Sequence, residues 1–128
     1  MTTTTTQKEF VIPIENKPGT FAAVASALGS ANVNIVGCLV QAQGEYGIVR
    51  LITSDPAKTE AWLKQTNHAY RTNDVVWTPL SPKPGELGRV ATLLSKSGIN
   101  ITATYPTENN GMAFAVDNVP SAKKVLGG

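Results

Sequence analysis

Glu15-Asn16-Lys17-Pro18-Gly19-Thr20-Phe21 is the stretch that decides how this chain folds. A short apolar run precedes it, and apolar residues at helical spacing follow it. Lys83-Pro84-Gly85-Glu86-Leu87 stands 66 positions later, counted from Lys17 to Lys83. Because an internal repeat defines the unit of architecture, the two Pro-Gly stretches predict that the chain contains two copies of one structural unit.

The repeat continues beyond the turns in the same register and without a gap. The matched pairs are Val24 with Val90, Ala25 with Ala91, Leu28 with Leu94, Val33 with Ile99, Asn34 with Asn100, and Ile35 with Ile101. Chance seldom aligns Lys-Pro-Gly, a helical apolar stripe and Asn-Ile together. Each copy is therefore about 65 residues long, a size that buries a limited fraction of its surface and depends on a partner.

The composition excludes several classes of protein. The chain has 128 residues and a net charge of +2 with both signs scattered, which is too mild to indicate a nucleic-acid or membrane surface. The single Cys38 excludes an internal disulfide and a cysteine-based zinc site. The Thr-rich start lacks the apolar core of a signal peptide, and no apolar run is long enough to span a bilayer. We expect a soluble, cytoplasmic protein with no membrane or nucleic-acid partner, no metal and no cofactor.

The first copy has the predicted element order β-α-β-β-α-β, the split βαβ unit. The predicted strands cover residues 10–14, 33–41, 46–53, and the extended stretches 69–71 and 74–80. The first helix starts at the Pro-Gly turn, and its stripe of Phe21, Val24, Ala25 and Leu28 faces a core. The second starts near Pro56, with Ser54 or Asp55 as its cap.

The second copy repeats this plan but stops early. Its predicted elements are a helix over 84–96, strands over 99–107 and 112–116, and a short helix over 120–126. It has no final strand of its own, and an open sheet edge is a template for pairing. We expect that edge to be filled by the first copy, by a second subunit or by a further C-terminal segment. The predicted divisions are a disordered Thr-rich tail over 1–7, a first repeat over 8–73 and a second over 74–128.

With Lys17-Pro18-Gly19…Asn34-Ile35 and Lys83-Pro84-Gly85…Asn100-Ile101, the chain resembles a tandem ACT-domain protein over about residues 8 to 126. Tyr46-Gly47-Ile48-Val49-Arg50-Leu51 is also similar to the third strand of such proteins. The resemblance implies an α+β fold of two ferredoxin-like βαββαβ repeats, with antiparallel sheets and helices on one face. It also implies a free-standing regulatory protein without a catalytic domain, which senses an amino acid at the ACT domain interface. A homodimer and a regulated enzyme or transporter are the implied partners.

The chemistry of an amino acid explains why such turns could bind one. A helix start offers unpaired N–H groups and a positive dipole end to a carboxylate, and Glu15 could pair with the ammonium group. Ser81 replaces Glu15 in the second copy and Glu86 would compete with a carboxylate, so we favour the first turn. The candidate ligand-binding residues are Glu15, Asn16, Lys17, Pro18, Gly19, Thr20, Phe21, Asn34 and Ile35, with Lys83, Pro84, Gly85, Glu86, Leu87, Asn100 and Ile101 in the second copy.

Other interpretations stay open. The Pro-Gly turns could simply start helices, Asn34 and Asn100 could satisfy main-chain groups, and Phe21 and Leu87 are expected in the core. Arg50 could face solvent or bind a carboxylate at a subunit interface. An RNA-binding module of the same element order and a structural or partner-binding protein are the alternative functions. No nucleophile–base pair can be assembled, so we do not expect an enzyme and predict no catalytic residues.

Overall fold

Strands and helices follow one another along the chain in the order that the repeat predicts. The computed structural model describes residues 3–127. Its strands are β1 (Thr5–Glu15), β2 (Ile35–Gln43), β3 (Tyr46–Thr53), β4 (Arg71–Pro79), β5 (Ile101–Thr107) and β6 (Gly111–Val116). Its helices are α1 (Thr20–Ser30), α2 (Pro56–Gln65), α3 (Glu86–Lys96) and α4 (Val119–Val125). The chain divides into two compact units, one over Lys8–Asn73 and the other from Asp74 onward together with the N-terminal residues through Gln7.

In the unit over Lys8–Asn73, β3 lies between β1 and β2 and is antiparallel to both. Phe10 lies opposite Leu51, and Ile12 lies opposite Val49. These four side chains alternate onto one face of the strands, where they pack against residues of both helices. The buried core consists of Phe10, Ile12, Val24, Leu28, Val33, Val49, Leu51 and Leu63. Both helices of this unit therefore cover the same sheet face.

The unit that begins at Asp74 has the matching arrangement, with β6 between β4 and β5 and antiparallel to both. Its buried core consists of Val76, Val90, Leu94, Ile99, Phe114 and Ala122. Val90 and Leu94 come from α3 and Ala122 from α4, so both helices again pack on the strands.

The helix starts come from two kinds of cap. Gly19 and Gly85 precede α1 and α3 and have φ values of 92° and 88°. This left-handed conformation is unfavourable for residues that have a Cβ atom. Asp55 and Asn118 cap α2 and α4 through their side-chain oxygens, which accept hydrogen bonds from Lys58 N and Ser121 N. Each of these two helices also has proline in its first turn.

The predicted disorder of the N-terminal tail is wrong where the structure describes it. Thr5 and the two residues after it belong to β1, and Thr4 is only 5% exposed. The Thr4 hydroxyl lies 2.8 Å from that of Thr78 and donates to the Leu126 main-chain oxygen at 3.0 Å. The prediction of disorder rested on the absence of apolar side chains. Threonine favours strands, and the Thr4 hydroxyl has hydrogen-bond partners. Residues 1 and 2 of the predicted tail lie outside the described residues.

This finding bears on the missing final strand of the second copy. The N-terminal residues through Gln7 belong to the same compact unit as that copy. Within it, Thr4 contacts Thr78 on β4 and Leu126 just after α4. A segment that precedes the first copy in sequence thus packs against the incomplete second copy.

Candidate functional site

The first Pro-Gly turn is fixed by hydrogen bonds on both sides of Gly19. The Thr20 hydroxyl donates to the main-chain oxygens of Glu15 at 2.7 Å and Lys17 at 3.0 Å. Ala23 N donates to Gly19 O at 3.0 Å and begins the helical hydrogen bonds. The turn therefore holds the start of α1 beside the end of β1.

A cavity of about 150 Å³ lies at this turn, and we call it the first-turn cavity. Asn16 joins the turn to the β2–β3 hairpin, because its main-chain N donates to Glu45 O at 2.9 Å and its Nδ2 to Gly44 O at 2.8 Å. The lining residues are Ile14, Glu15, Asn16, Lys17, Gly19, Thr20, Phe21, Ala22, Val40, Ala42 and Gly47. The cavity thus combines apolar side chains with a polar rim.

The rim carries one charge of each sign. Lys17 Nζ lies 3.2 Å from Glu15 Oε2, and the two side chains are 60% and 64% exposed. An exposed ion pair of this kind contributes little to stability, about 0–1 kcal/mol. Either side chain can therefore leave the other and contact a charged group in the cavity at little cost.

The second Pro-Gly turn has the same hydrogen-bond pattern. Lys17 N donates to Glu15 O at 3.0 Å, and Lys83 N donates to Ser81 O at 2.8 Å. The main-chain N of the residue after each glycine, Thr20 or Glu86, donates to the lysine oxygen, at 3.4 and 3.3 Å. The two turns are therefore equivalent in backbone structure, and they differ in the side chains they present.

The second-turn cavity differs in size and charge. It has a volume of about 490 Å³ and is lined by Leu80, Ser81, Pro82, Lys83, Pro84, Glu86, Leu87, Pro106, Thr107, Asn110, Gly111 and Met112. The Glu86 carboxylate accepts a bifurcated hydrogen bond from Arg89 Nε, which lies 2.7 Å from Oε1 and 3.1 Å from Oε2. Leu87 is 44% exposed, so its predicted place in the core is wrong. Phe21, its counterpart, is partly buried against the first core, so the two turns differ in how this apolar side chain packs.

Asn34 and Asn100 lie at the opposite ends of their helices from the turns. The 11 residues of α1 span about 16 Å, and Asn34 follows its C-terminus. Asn34 N donates to Ser54 Oγ at 2.9 Å, while Asn100 N donates to Asp117 Oδ1 at 3.0 Å. The structure does not bring Asn34, Ile35, Asn100 or Ile101 to the cavities, and neither Pro18 nor Gly85 lines one.

The sequence did not predict that residues of the β2–β3 hairpin line the first-turn cavity. Val40, Ala42 and Gly47 line the first-turn cavity from β2 and β3. Glu15 lies opposite Tyr46, the first residue of β3. The pairing of β1 with β3 therefore brings the hairpin end to the turn, and a predicted antiparallel pairing was the signal that could have found these residues.

Residues 3–127 contain neither a cluster of metal ligands nor a helix that could cross a membrane. No group of three or more His, Cys, Asp or Glu side chains there is arranged to hold a metal ion. Across the same span, every helix is too short or too polar to cross a membrane. His68, the one histidine, accepts or donates through Nδ1 to the Thr66 hydroxyl at 2.6 Å and lies beside Trp62, which is a local turn contact.

Comparison with known families decides the family. The family model for an ACT domain pair matches residues 4–127. This chain belongs to the ACT domain pair family. The predicted resemblance is thereby confirmed, and the match begins at Thr4, which supports the inclusion of the N-terminal residues in the ACT domain pair.

Solved structures contain similar folds. Protein BT0572 from Bacteroides thetaiotaomicron is 30% identical with a TM-score of 0.87, and the alignment covers 96% of this ACT domain pair and 88% of that chain. The ligand-free regulatory subunit of aspartate kinase from Thermus thermophilus is 15% identical, with a TM-score of 0.69 and coverage of 98% and 93%. Aspartokinase alpha and beta subunits are 17% identical, with a TM-score of 0.63 and coverage of 98% and 95%. The last two show the fold alone. No match was found among curated protein sequences.

Proposed function

We propose that this ACT domain pair is a regulatory protein that binds a small amino acid in the first-turn cavity. The proposal rests on one observation. The first-turn cavity has an apolar wall, and its rim carries one positive side chain, Lys17, and one negative side chain, Glu15. An amino acid is a zwitterion, so its site needs a group for each pole. Glu15 would accept hydrogen bonds from the ammonium group, and the start of α1 with Lys17 would bind the carboxylate.

The side chain of the bound amino acid would be apolar. Ile14, Phe21 and Val40 line the cavity, and a volume of about 150 Å³ is small beside the roughly 300–1,000 Å³ of drug-sized sites. A polar side chain would lose its hydrogen bonds to water against that wall without replacement.

The two turns would not act alike. In the second turn, Arg89 already engages the Glu86 carboxylate, and that negative charge stands where a ligand carboxylate would bind. Ser81 supplies no charge for the ammonium group. We therefore propose one amino-acid site in each chain rather than two.

Regulation would follow from a difference in affinity between two assemblies. A ligand shifts an equilibrium only by its differential affinity for the two states. We propose that the chain forms a homodimer in the cytoplasm and that ligand binding alters its contact with a regulated enzyme or transporter. The likeness to the regulatory subunit of aspartate kinase is consistent with a role in which this protein controls another protein and has no activity of its own.

A thermal-shift screen with the twenty common amino acids tests the proposal. A ligand that binds only the folded state stabilises it by about 2.7 kcal/mol at a concentration 100 times its Kd. One or a few small apolar amino acids should raise the melting temperature, and the remainder should not. The absence of a shift for all twenty at millimolar concentration would contradict the proposal.

A cavity-filling variant identifies the site. Ala42 is exposed on β2 and lines the first-turn cavity, so Ala42→Phe should fill that cavity and abolish the shift. Ala57→Phe is the matched control, because Ala57 is exposed on α2 and does not line the cavity. A shift that survives in Ala42→Phe would place the ligand elsewhere.

A further inference from the structure

A second cavity in the unit over Lys8–Asn73 opens on the sheet face that the helices do not cover. It has a volume of about 270 Å³. Val49 and Leu51 of β3 belong to the core, so the residues that alternate with them, Ile48 and Arg50, project to the opposite face. Tyr46 continues that row, and all three line the cavity.

Arg50 is held in this cavity by a buried carboxylate. Glu9 is fully buried, and its Oε1 accepts hydrogen bonds from Arg50 Nη1 at 3.0 Å and from Asn73 Nδ2 at 3.0 Å. The Arg50 side chain is 18% exposed. A buried ion pair held by further hydrogen bonds fixes its partners far better than an exposed pair does. The guanidinium group is therefore preorganised.

Arg50 has hydrogen-bonding capacity beyond Glu9. A guanidinium group carries five N–H donors in a planar fork, and the hydrogen bond to Glu9 uses Nη1. The other donors are on Nε and Nη2, and Arg50 lines the cavity. Such a fork matches the two oxygens of a carboxylate.

The rest of the lining is apolar or neutral. Tyr46 is 64% exposed and Ile48 is 44% exposed. These exposed fractions are high for large hydrophobic side chains. Leu39, Gln41 and Gln43 complete the wall from β2. An aromatic ring beside an aliphatic side chain favours a flat apolar ligand body, and the glutamine amides can donate to its polar end.

We infer that this cavity is a second binding site, specific for a small carboxylate with an aromatic or branched apolar body. The Arg50–Glu9 pair has no net charge, so binding depends on the fixed geometry of the guanidinium donors more than on long-range attraction. The volume of about 270 Å³ lies below the usual range for drug-sized ligands and limits the occupant to the size of a small metabolite.

This site is separate from the first-turn cavity. Val40 and Ala42 line that cavity and Leu39, Gln41 and Gln43 line this one, while Gly47, which has no side chain, borders both. Since neighbouring residues of a strand face opposite sides, the two cavities lie on the two faces of the β2–β3 hairpin. The second site does not require an amino acid in the first, and either proposal can fail without the other.

Phenylacetate is a suitable probe because it joins a carboxylate to one aromatic ring. Titrated at millimolar concentration into the ¹⁵N-labelled full chain, it should shift the amide signals of Tyr46, Ile48 and Arg50. Phenylacetamide has the same shape without the charge and should bind roughly tenfold more weakly or not at all. Equal shifts from both compounds, or shifts confined to other residues, would overturn the proposal.

Two variants test the roles of the residues. Arg50→Lys keeps a cation for the buried Glu9 but removes the fork, and Tyr46→Ser removes an exposed ring at little risk to folding. Each should weaken phenylacetate binding by roughly tenfold or more. Leu87→Ser removes another exposed apolar side chain, which lies outside this cavity, and should leave phenylacetate binding unchanged. Wild-type affinity in both Arg50→Lys and Tyr46→Ser would contradict the assignment.

Discussion

The hydroxyl groups of Thr4 and Thr78 lie 2.8 Å apart, although 74 residues separate them in sequence. Both residues are 5% exposed. Thr4 also donates to the main-chain oxygen of Leu126 at 3.0 Å. One threonine of the N-terminal tract thus contacts both the first strand and the last helix end of the second copy.

Thr4→Val should destabilise the protein. Valine keeps the shape but removes the hydroxyl, which leaves a buried partner on Thr78 without its hydrogen bond. The expected loss in the free energy of unfolding is about 1–3 kcal/mol, measured by urea denaturation. Thr6→Val is the control, since Thr6 is exposed on β1 two residues later and should change stability little. Equal stability of both variants would show that the N-terminal segment does not support the second copy.

Gly111→Ala should also destabilise the protein. A Cβ at Gly111 would collide with the indole ring of Trp77, whose Nε1 donates to Thr107 Oγ1 at 2.7 Å. Because that hydrogen bond and the neighbouring strands hold the ring, the cost should be about 1–3 kcal/mol.

Gly88→Ala provides the matched control for this prediction. Gly88 lies within α3, and a Cβ there meets open space. Alanine favours a helix over glycine by roughly 0.5–1 kcal/mol, so this variant should be more stable than the wild type. Melting temperatures that move in opposite directions would support the packing of Trp77 on Gly111, and a neutral Gly111→Ala would contradict it.

Tyr70 should make stability fall at alkaline pH. Burial raises the pKa of the Tyr70 phenol above its ordinary value of 10.0. The hydrogen bond to Glu60 Oε2 at 2.8 Å and the charge of that carboxylate raise the pKa further. A group whose pKa is higher in the folded state stabilises the fold below its unfolded pKa, and this contribution is lost as the pH rises through the folded pKa.

Tyr70→Phe isolates that contribution. The difference in unfolding free energy between wild type and variant should be constant up to about pH 9 and should shrink above about pH 10. Parallel pH profiles for the two proteins, from denaturation at a series of pH values, would be inconsistent with the Glu60–Tyr70 hydrogen bond.

Particular residues show how far the sequence predicts this structure. The strand over residues 46–53 is found as predicted, because its apolar residues and the Gly44 turn are local signals. The Pro-Gly turns are also local, and both glycines adopt the positive φ that the turn requires. Repetition at one offset then identified two copies of the same unit, and the family match confirms the ACT resemblance.

Local sequence patterns do not predict the parts of the structure that tertiary contacts decide. The tail through Gln7 has no apolar pattern, yet Thr4 is ordered through partners far away in sequence. Asn34 follows the turn in the motif, but a helix of about 16 Å separates them in space. Ala42 and Val40 join the first-turn cavity through strand pairing, which no local motif encodes.

Calorimetric titration of the amino acid that gives the largest thermal shift tests the central claim most directly. We expect one molecule of this amino acid in the first-turn cavity of each chain, loss of that binding in Ala42→Phe, and unchanged binding to Pro106→Phe. Pro106 is exposed and lines the second-turn cavity. Pro106→Phe should therefore fill the second-turn cavity and leave the first-turn cavity open. Binding that is lost in Pro106→Phe and kept in Ala42→Phe would place the amino acid at the second turn and overturn the proposal.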